Sequence, residues 1–297
     1  MPDDPRYRLA ALTDRTTLPR LAAIGLVVGC LAAGFAYVAG WLSPGRLTQA
    51  RLVDTFEQVN GSHPGFRRNH AKGVCVTGSF LSNGQGSRLS RAAVFAAGSV
   101  PVLGRFALAG GDPAVPDGPA AVRSLALSFR PPQGEEWRTG MNDIPVFPVA
   151  TAQGFHDLLV TGRPDPATGR PDPARMRAFL ADYPASASAL QRIKATTFAT
   201  SFANASYNSL NAFRFVDAAG TSTPVRWAME AIQPYVPEAP EQTASPDKNY
   251  LFDDLAAQLA KGPLQWRLVI TLGQPGDPMN DATLPWPDTR ERVDIGT

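Results

Sequence analysis

The sequence predicts an α+β domain built around antiparallel strands with flanking helices, preceded by one transmembrane helix. Three observations carry this. The chain has 28 prolines and 26 glycines in 297 residues, which favours turns and irregular connections over a helical bundle. Short apolar runs of strand length recur between these breakers. An uncharged run, Leu21 to Leu42, stands apart near the N-terminus.

Those 22 residues are long enough to cross a hydrocarbon core. Tyr37 and Trp41 sit near the far end, where aromatic side chains favour the interface. Arg6, Arg8, Arg15 and Arg20 precede the run and Arg46 and Arg51 follow it, a bias that puts residues 1–20 in the cytoplasm and the bulk of the protein outside, in a periplasmic or extracytoplasmic compartment. A cleaved signal peptide is the rival reading, but the run is long for one, and Tyr37 and Ala39 do not give a small-x-small cleavage pattern. A buried core helix would carry a polar face, and this run has none.

After residues 21–42, a domain at 43–297 is expected. Arg46 to Val59 reads as an amphipathic helix with Leu47, Ala50, Leu52, Val53 and Phe56 on its apolar side. Val74 to Phe80 is strand-like. Arg91 to Val94, Val100 to Ala107, Ser124 to Phe129 and Ile144 to Val149 are further strand candidates, punctuated by Pro116-Asp117-Gly118-Pro119 and Pro131-Pro132-Gln133-Gly134. Ala152 to Thr161, Pro173 to Leu180 and Ser186 to Ala199 are expected helices. Strands resume at Leu210 to Val216 and Thr223 to Gln233. Asp247 to Ala260 reads as a capped amphipathic helix, Gln265 to Gly273 as an alternating strand, and Arg292 to Thr297 as a strand within which the chain stops, expected to leave neighbouring strands unpaired.

Composition excludes some classes. A net charge of +2 with both signs scattered gives no basic face for nucleic acid and no acidic tail. The two cysteines, Cys30 and Cys75, are too differently placed to pair and have no partner at metal-ligand spacing; both read as small core residues. The three histidines are 63, 70 and 156, so acid–base work near neutral pH falls to few groups. His70 enters a strand-like run three residues after Arg67, which suggests an imidazole on a rigid wall close to a bound anion.

Taken singly, His70, Arg105 and Asn142 are ordinary residues. Their order is not. Arg67…His70-Ala71-Lys72-Gly73, Pro101-Val102-Leu103-Gly104-Arg105-Phe106, Arg123-Ser124-Leu125-Ala126-Leu127-Ser128-Phe129 and Asn142-Asp143-Ile144-Pro145-Val146-Phe147 follow one another, and later come Asn208 to Phe215 and Asp281-Ala282-Thr283-Leu284-Pro285-Trp286-Pro287. Together they resemble the core of the haem catalases over roughly residues 46–297, and among these the small catalase-related peroxidases in particular. The resemblance implies an antiparallel β-barrel core. It also implies haem b as cofactor, and a peroxidase that reduces hydrogen peroxide or organic hydroperoxides with an unknown electron donor and weak catalase activity, in the oxidative stress response. By the same resemblance His70 is the base that moves the peroxide proton and Asn142 orients the peroxide. Arg67 and Arg105 pair with haem propionates, and Phe147 and Phe155 line the haem pocket. The long assembly arms of large catalases are missing, which implies a monomer or dimer.

Departures from the pattern carry their own expectations. The serine that usually bonds the catalytic histidine is Ala107, so the imidazole tautomer must be fixed in another way. The residue before the histidine, normally apolar, is Asn69. The family's iron ligand is a tyrosine in an Arg-x-x-x-Tyr motif, and none of the six tyrosines lies four residues after an arginine; the proximal ligand is expected to be absent from a truncated chain. The alternatives to a peroxidase are a non-catalytic membrane-anchored β-barrel that binds an apolar ligand, or an inactive truncated remnant.

Overall fold

The computed structural model describes residues 17–43, 45–118, 121–165, 167–238 and 247–297, so most of the N-terminal tail, with Arg6, Arg8 and Arg15, lies outside the described residues. The chain divides into two compact units, Met1–Asp54 and Thr55–Thr297.

In the first unit the apolar run forms α1, Thr17–Val38, with no buried residue. By length and composition it can cross a membrane, and a signal sequence passes the same test. It stops short of Leu42 because Gly40 takes the left-handed conformation at φ 82° and turns the chain. Helix α2, Gln49–Asn60, runs from the first unit into the second.

The second unit is a curled antiparallel sheet, a half-barrel with helices. Its strands are β1 Gly73–Ser82, β2 Gly98–Leu108, β3 Arg123–Phe129, β4 Trp137–Asn142, β5 Tyr207–Asn208, β6 Phe213–Val216, β7 Ser222–Ala231, β8 Trp266–Leu272 and β9 Arg292–Asp294. They run in the order β1-β2-β3-β4-β5-β7-β8-β9, with β6 on β7. Side chains alternate across a strand. One face of the sheet carries Phe80, Phe106, Leu125, Phe129, Met141, Tyr207, Trp227, Met229, Leu268 and Ile270, which form the core. Helices α3 Ala152–Thr161, α4 Pro173–Asp182 and α5 Pro184–Lys194 follow β4, and α6 Tyr250–Leu259 follows β7, burying Leu251 and Leu255.

The final residues do not lack a neighbour. Leu81 N–H donates to Thr297 O at 2.7 Å, Thr297 N–H to Leu81 O at 3.1 Å, and Asn83 N–H to Ile295 O at 3.2 Å. Gly296, at φ 143°, passes so close to β1 that a Cβ there would lie 2.3 Å from Leu81 O.

Other expectations are corrected. Arg91 to Val94 is not a strand; a short 3-10 turn at Ala93–Phe95 buries the adjacent Val94 and Phe95 together, which strand alternation cannot do. Ile144 to Val149 is a loop, because Pro145 and Pro148 lack the N–H a ladder needs. Trp137–Asn142 is an unanticipated strand. Leu210 to Val216 shortens to Phe213–Val216, with Leu210 in the left-handed region at φ 62°. The helix at Ser186 to Ala199 ends at Lys194. Cys30 and Cys75 are free and exposed, not core residues: Cys30 lies on α1, which buries no residue, and Cys75 on the sheet face opposite the core.

Candidate active site

The face opposite the core is built from small residues. Register places Gly73 beside Ala107, Ala107 beside Ser124, and Ser124 beside Asn142; one step along, Cys75, Arg105, Ala126 and Gly140 form a second row on the same face. Apart from Arg105 and Asn142, no side chain in these rows exceeds a cysteine or serine. The surface is flat, and at Gly140 a Cβ would meet nothing within 4 Å. Gly73 is the reverse case, for a Cβ there would lie 2.6 Å from the Arg105 guanidinium.

His70 stands at the edge of this floor, just before β1. It is a non-glycine residue at φ 53°, a conformation that costs about 1–3 kcal/mol unless its surroundings impose it. They do: Asn69 Oδ1 accepts the N–H groups of both His70 and Gly110, each at 3.0 Å, and Ala71 N–H donates to Gly110 O. The imidazole Nδ1 lies 3.2 Å from Leu108 O. A carbonyl can only accept, so Nδ1 carries the proton and Nε2 is the basic nitrogen. This bond fixes the tautomer without any hydroxyl at position 107. Burial lowers the His70 pKa, the Leu108 carbonyl opposes that, and Arg105 and Arg67 lower it further, so the ring is neutral near pH 7.

Arg67 and Arg105 lie close enough to interact. Burial, then Arg67, lowers the Arg105 pKa, and among the described residues neither arginine makes an ion pair with a carboxylate. One Arg105 Nη bonds Ala71 O at 3.2 Å. Two neighbouring cations without an acid suit a dianionic group.

Asn142 ends β4, two strands from Ala107 and so about 10 Å away across the floor at the usual strand spacing. Its Oδ1 accepts from Ser124 Oγ. Its amide NH2 has no partner among the described residues. The next residue, Asp143, accepts Arg123 N–H at 2.8 Å on Oδ1 and returns its own N–H to Arg123 O at 3.0 Å. Arg123 is fully buried and bonds Ala199 O and Glu238, which also accepts from Tyr250 OH. Burial pushes the Asp143 carboxyl up to about 7 against the pull of Arg123; its Oδ2 accepts no hydrogen bond among the described residues.

Phe147 and Phe155 pack against each other with ring centroids 5.5 Å apart, and Phe155 also meets Phe56 of α2 at 5.8 Å. Phe147 N–H donates to Ala282 O, which ties the pair to the 281–287 turn. Thus the structure brings His70, Arg67 and Arg105 together at one edge of the floor, sets Asn142 on its far side, and joins Phe147 to Phe155. Sequence reasoning missed Leu108 O, Ser124 and the floor itself. A backbone carbonyl has no side-chain signature. The floor did have one, in small residues at alternate positions of β1 and β3, Gly73 with Cys75 and Ser124 with Ala126.

The residues present fit one face of a haem. A flat face of small side chains, two arginines without acids, a neutral imidazole and an amide with a free NH2 fit one face of a planar macrocycle bearing carboxylates. The other face is a separate matter. In residues 55–297 every tyrosine hydroxyl is already hydrogen-bonded: Tyr183 to Asp157, Tyr207 to Phe202 O, Tyr235 to Thr197 O and Tyr250 to Glu238. An apolar cavity of about 300 Å³ lies on the core face beside Val76, Phe80, Phe106 and Trp266, and none of the six expected site residues lines it.

Comparison with known proteins gives a consistent picture. A family model described as Catalase matches residues 37–287. The chain is 34% identical over 283 residues to a catalase-related peroxidase of Synechococcus elongatus, covering 93% of this chain and 80% of that one. It is 31% identical over 256 residues to a catalase-related peroxidase of Mycolicibacterium paratuberculosis, covering 85% and 80%. Among solved structures, catalase A from Saccharomyces cerevisiae superposes with a TM-score of 0.70 at 20% identity, over 84% of this chain and 55% of that one. A bacterial catalase gives 0.69 at 20% identity, over 84% and 51%. The chain thus spans about half the length of those two solved catalases.

Proposed function

The chain belongs to the catalase family, and from that premise we propose that it is a haem-dependent peroxidase that reduces hydrogen peroxide or organic hydroperoxides with an external electron donor. The observation that carries this is the His70 imidazole, neutral, with Nδ1–H committed to Leu108 O and with Arg105 and Arg67 as its charged neighbours. Haem, when bound, supplies the redox chemistry of O–O cleavage. Arg67 and Arg105 would hold its carboxylates, the Gly73–Ala107–Ser124 and Cys75–Ala126–Gly140 rows would carry its face, and Phe147 and Phe155 would wall its approach.

The protein's own groups then handle the proton. His70 Nε2 takes it from one peroxide oxygen and returns it to the departing one. The Nδ1–H bond keeps the ring in the tautomer this requires. Asn142 Nδ2 donates to a peroxide oxygen and adds no charge that would compete for the proton. The N-terminal helix supports a membrane-anchored protein with residues 43–297 on the extracytoplasmic side, since Arg20 and the upstream arginines flank its N-terminal end.

The test is peroxide-dependent oxidation of a reporter dye by the full chain with haem. His70→Ala should lower turnover by about 10²–10⁴-fold, the usual range for a lost general base, while haem absorption persists. Equal turnover of the two proteins would remove His70 from the mechanism.

A further inference from the structure

We propose that Ser124 is a positioning residue for the peroxide reaction, its hydroxyl fixing the Asn142 side-chain amide with the NH2 end free. The inference rests on the peroxidase reading above. An amide can rotate by half a turn and exchange its donor for its acceptor with little change in shape, but only the NH2 end can donate to a peroxide oxygen. Something must therefore break the symmetry.

Ser124 does so. It is the register partner of Asn142 across β3 and β4, it is buried at 8% exposure, and its Oγ donates to Asn142 Oδ1. No other hydrogen bond of this hydroxyl exists among the described residues, so a flipped amide, which would make Ser124 Oγ the acceptor, would leave the Ser124 proton without a partner among them. The neighbouring groups offer no substitute. Ala107, beside Ser124 on β2, is apolar, and Asn208, beside Asn142 on β5, commits its Nδ2 to Ile144 O at 3.1 Å. Directly behind the pair, the reciprocal bonds between Arg123 and Asp143 pin the register, so the hydroxyl and the amide cannot slide apart. The row Gly73–Ala107–Ser124–Asn142 holds a single hydroxyl, and it serves the asparagine while the histidine relies on Leu108 O.

The experiment is a double-mutant cycle on the full chain with haem, read by the second-order rate with hydrogen peroxide, together with side-chain amide NMR of the haem-free, ¹⁵N-Asn-labelled chain in detergent. Ser124→Ala should lower the rate about tenfold, the scale of one buried hydrogen bond, and Ser124→Thr, which keeps the hydroxyl, should stay within about threefold of the parent. On an Asn142→Ala background Ser124→Ala should cost nothing further. In the NMR spectrum, the Asn142 amide pair (identified by its loss in Asn142→Ala) should shift in Ser124→Ala and stay in place in Ser124→Thr. An unchanged rate in Ser124→Ala, or the same loss with Asn142 already removed, overturns the proposal. So does an amide pair that ignores Ser124→Ala. That readout still decides the matter if the parent shows no peroxidase turnover, an outcome that counts against the enzyme reading instead. Ser124→Thr supplies the comparison should Ser124→Ala fold poorly.

Discussion

Residue 70 is held at φ 53° by the Asn69 amide, in a left-handed conformation that most non-glycine residues avoid. Asp143 shows a related tension. Its carboxyl, pushed up to about 7 by burial, binds a proton more tightly folded than unfolded. Between the ordinary aspartate value of 3.8 and about 7 the folded state therefore holds more protons, and stability falls as pH rises through that window. The groups that face it are Arg123, Glu238 and Tyr207. Asp143→Asn keeps an oxygen for Arg123 N–H, so urea melts of the variant should lose this slope and be more stable than the parent at pH 8; an identical slope in both proteins would count against the assignment. At this scale the motifs that contain His70 and Asn142 were visible in the sequence, because each is a contiguous run. Leu108 O and the buried partners of Asp143 were not, since they depend on which strands meet.

Most strands were legible as elements, because alternation between turn residues survives in the primary sequence. The exceptions have physical causes. Trp137–Asn142 puts Trp137, Thr139 and Met141 on the core face, and the polar Thr139 there, which accepts the Trp227 indole N–H at 2.9 Å, breaks the apolar pattern. Ile144 to Val149 has the right apolar content but two prolines. Glycines set the tolerances. Gly296→Ala would place a methyl against Leu81 O and open the contact between residues 295–297 and 81–83. We expect a loss of about 1–3 kcal/mol, typical of overpacking, visible as a lower Tm and faster amide exchange at Leu81. Exchange at Leu81 equal to the parent would show that the seam tolerates the methyl.

For the whole molecule, α1 decides where the protein partitions. Its exposed apolar surface should place the protein in the membrane fraction. Leu26→Arg with Gly29→Arg costs roughly 2.5–3.5 kcal/mol per charge near a bilayer centre, so the double variant should appear in the soluble fraction after a carbonate wash. If both forms fractionate alike, the helix does not insert. The curl of the sheet, by contrast, was hidden in the sequence, because it depends on contacts between distant segments. Asn83 Nδ2 bonds Asp294 O across 211 residues. At about 5–20 residues per second a ribosome needs roughly 10–40 s to make that stretch. The nascent first strand must wait that long with one flank uncovered, an exposed edge of the kind that invites aggregation until residues 294–297 arrive.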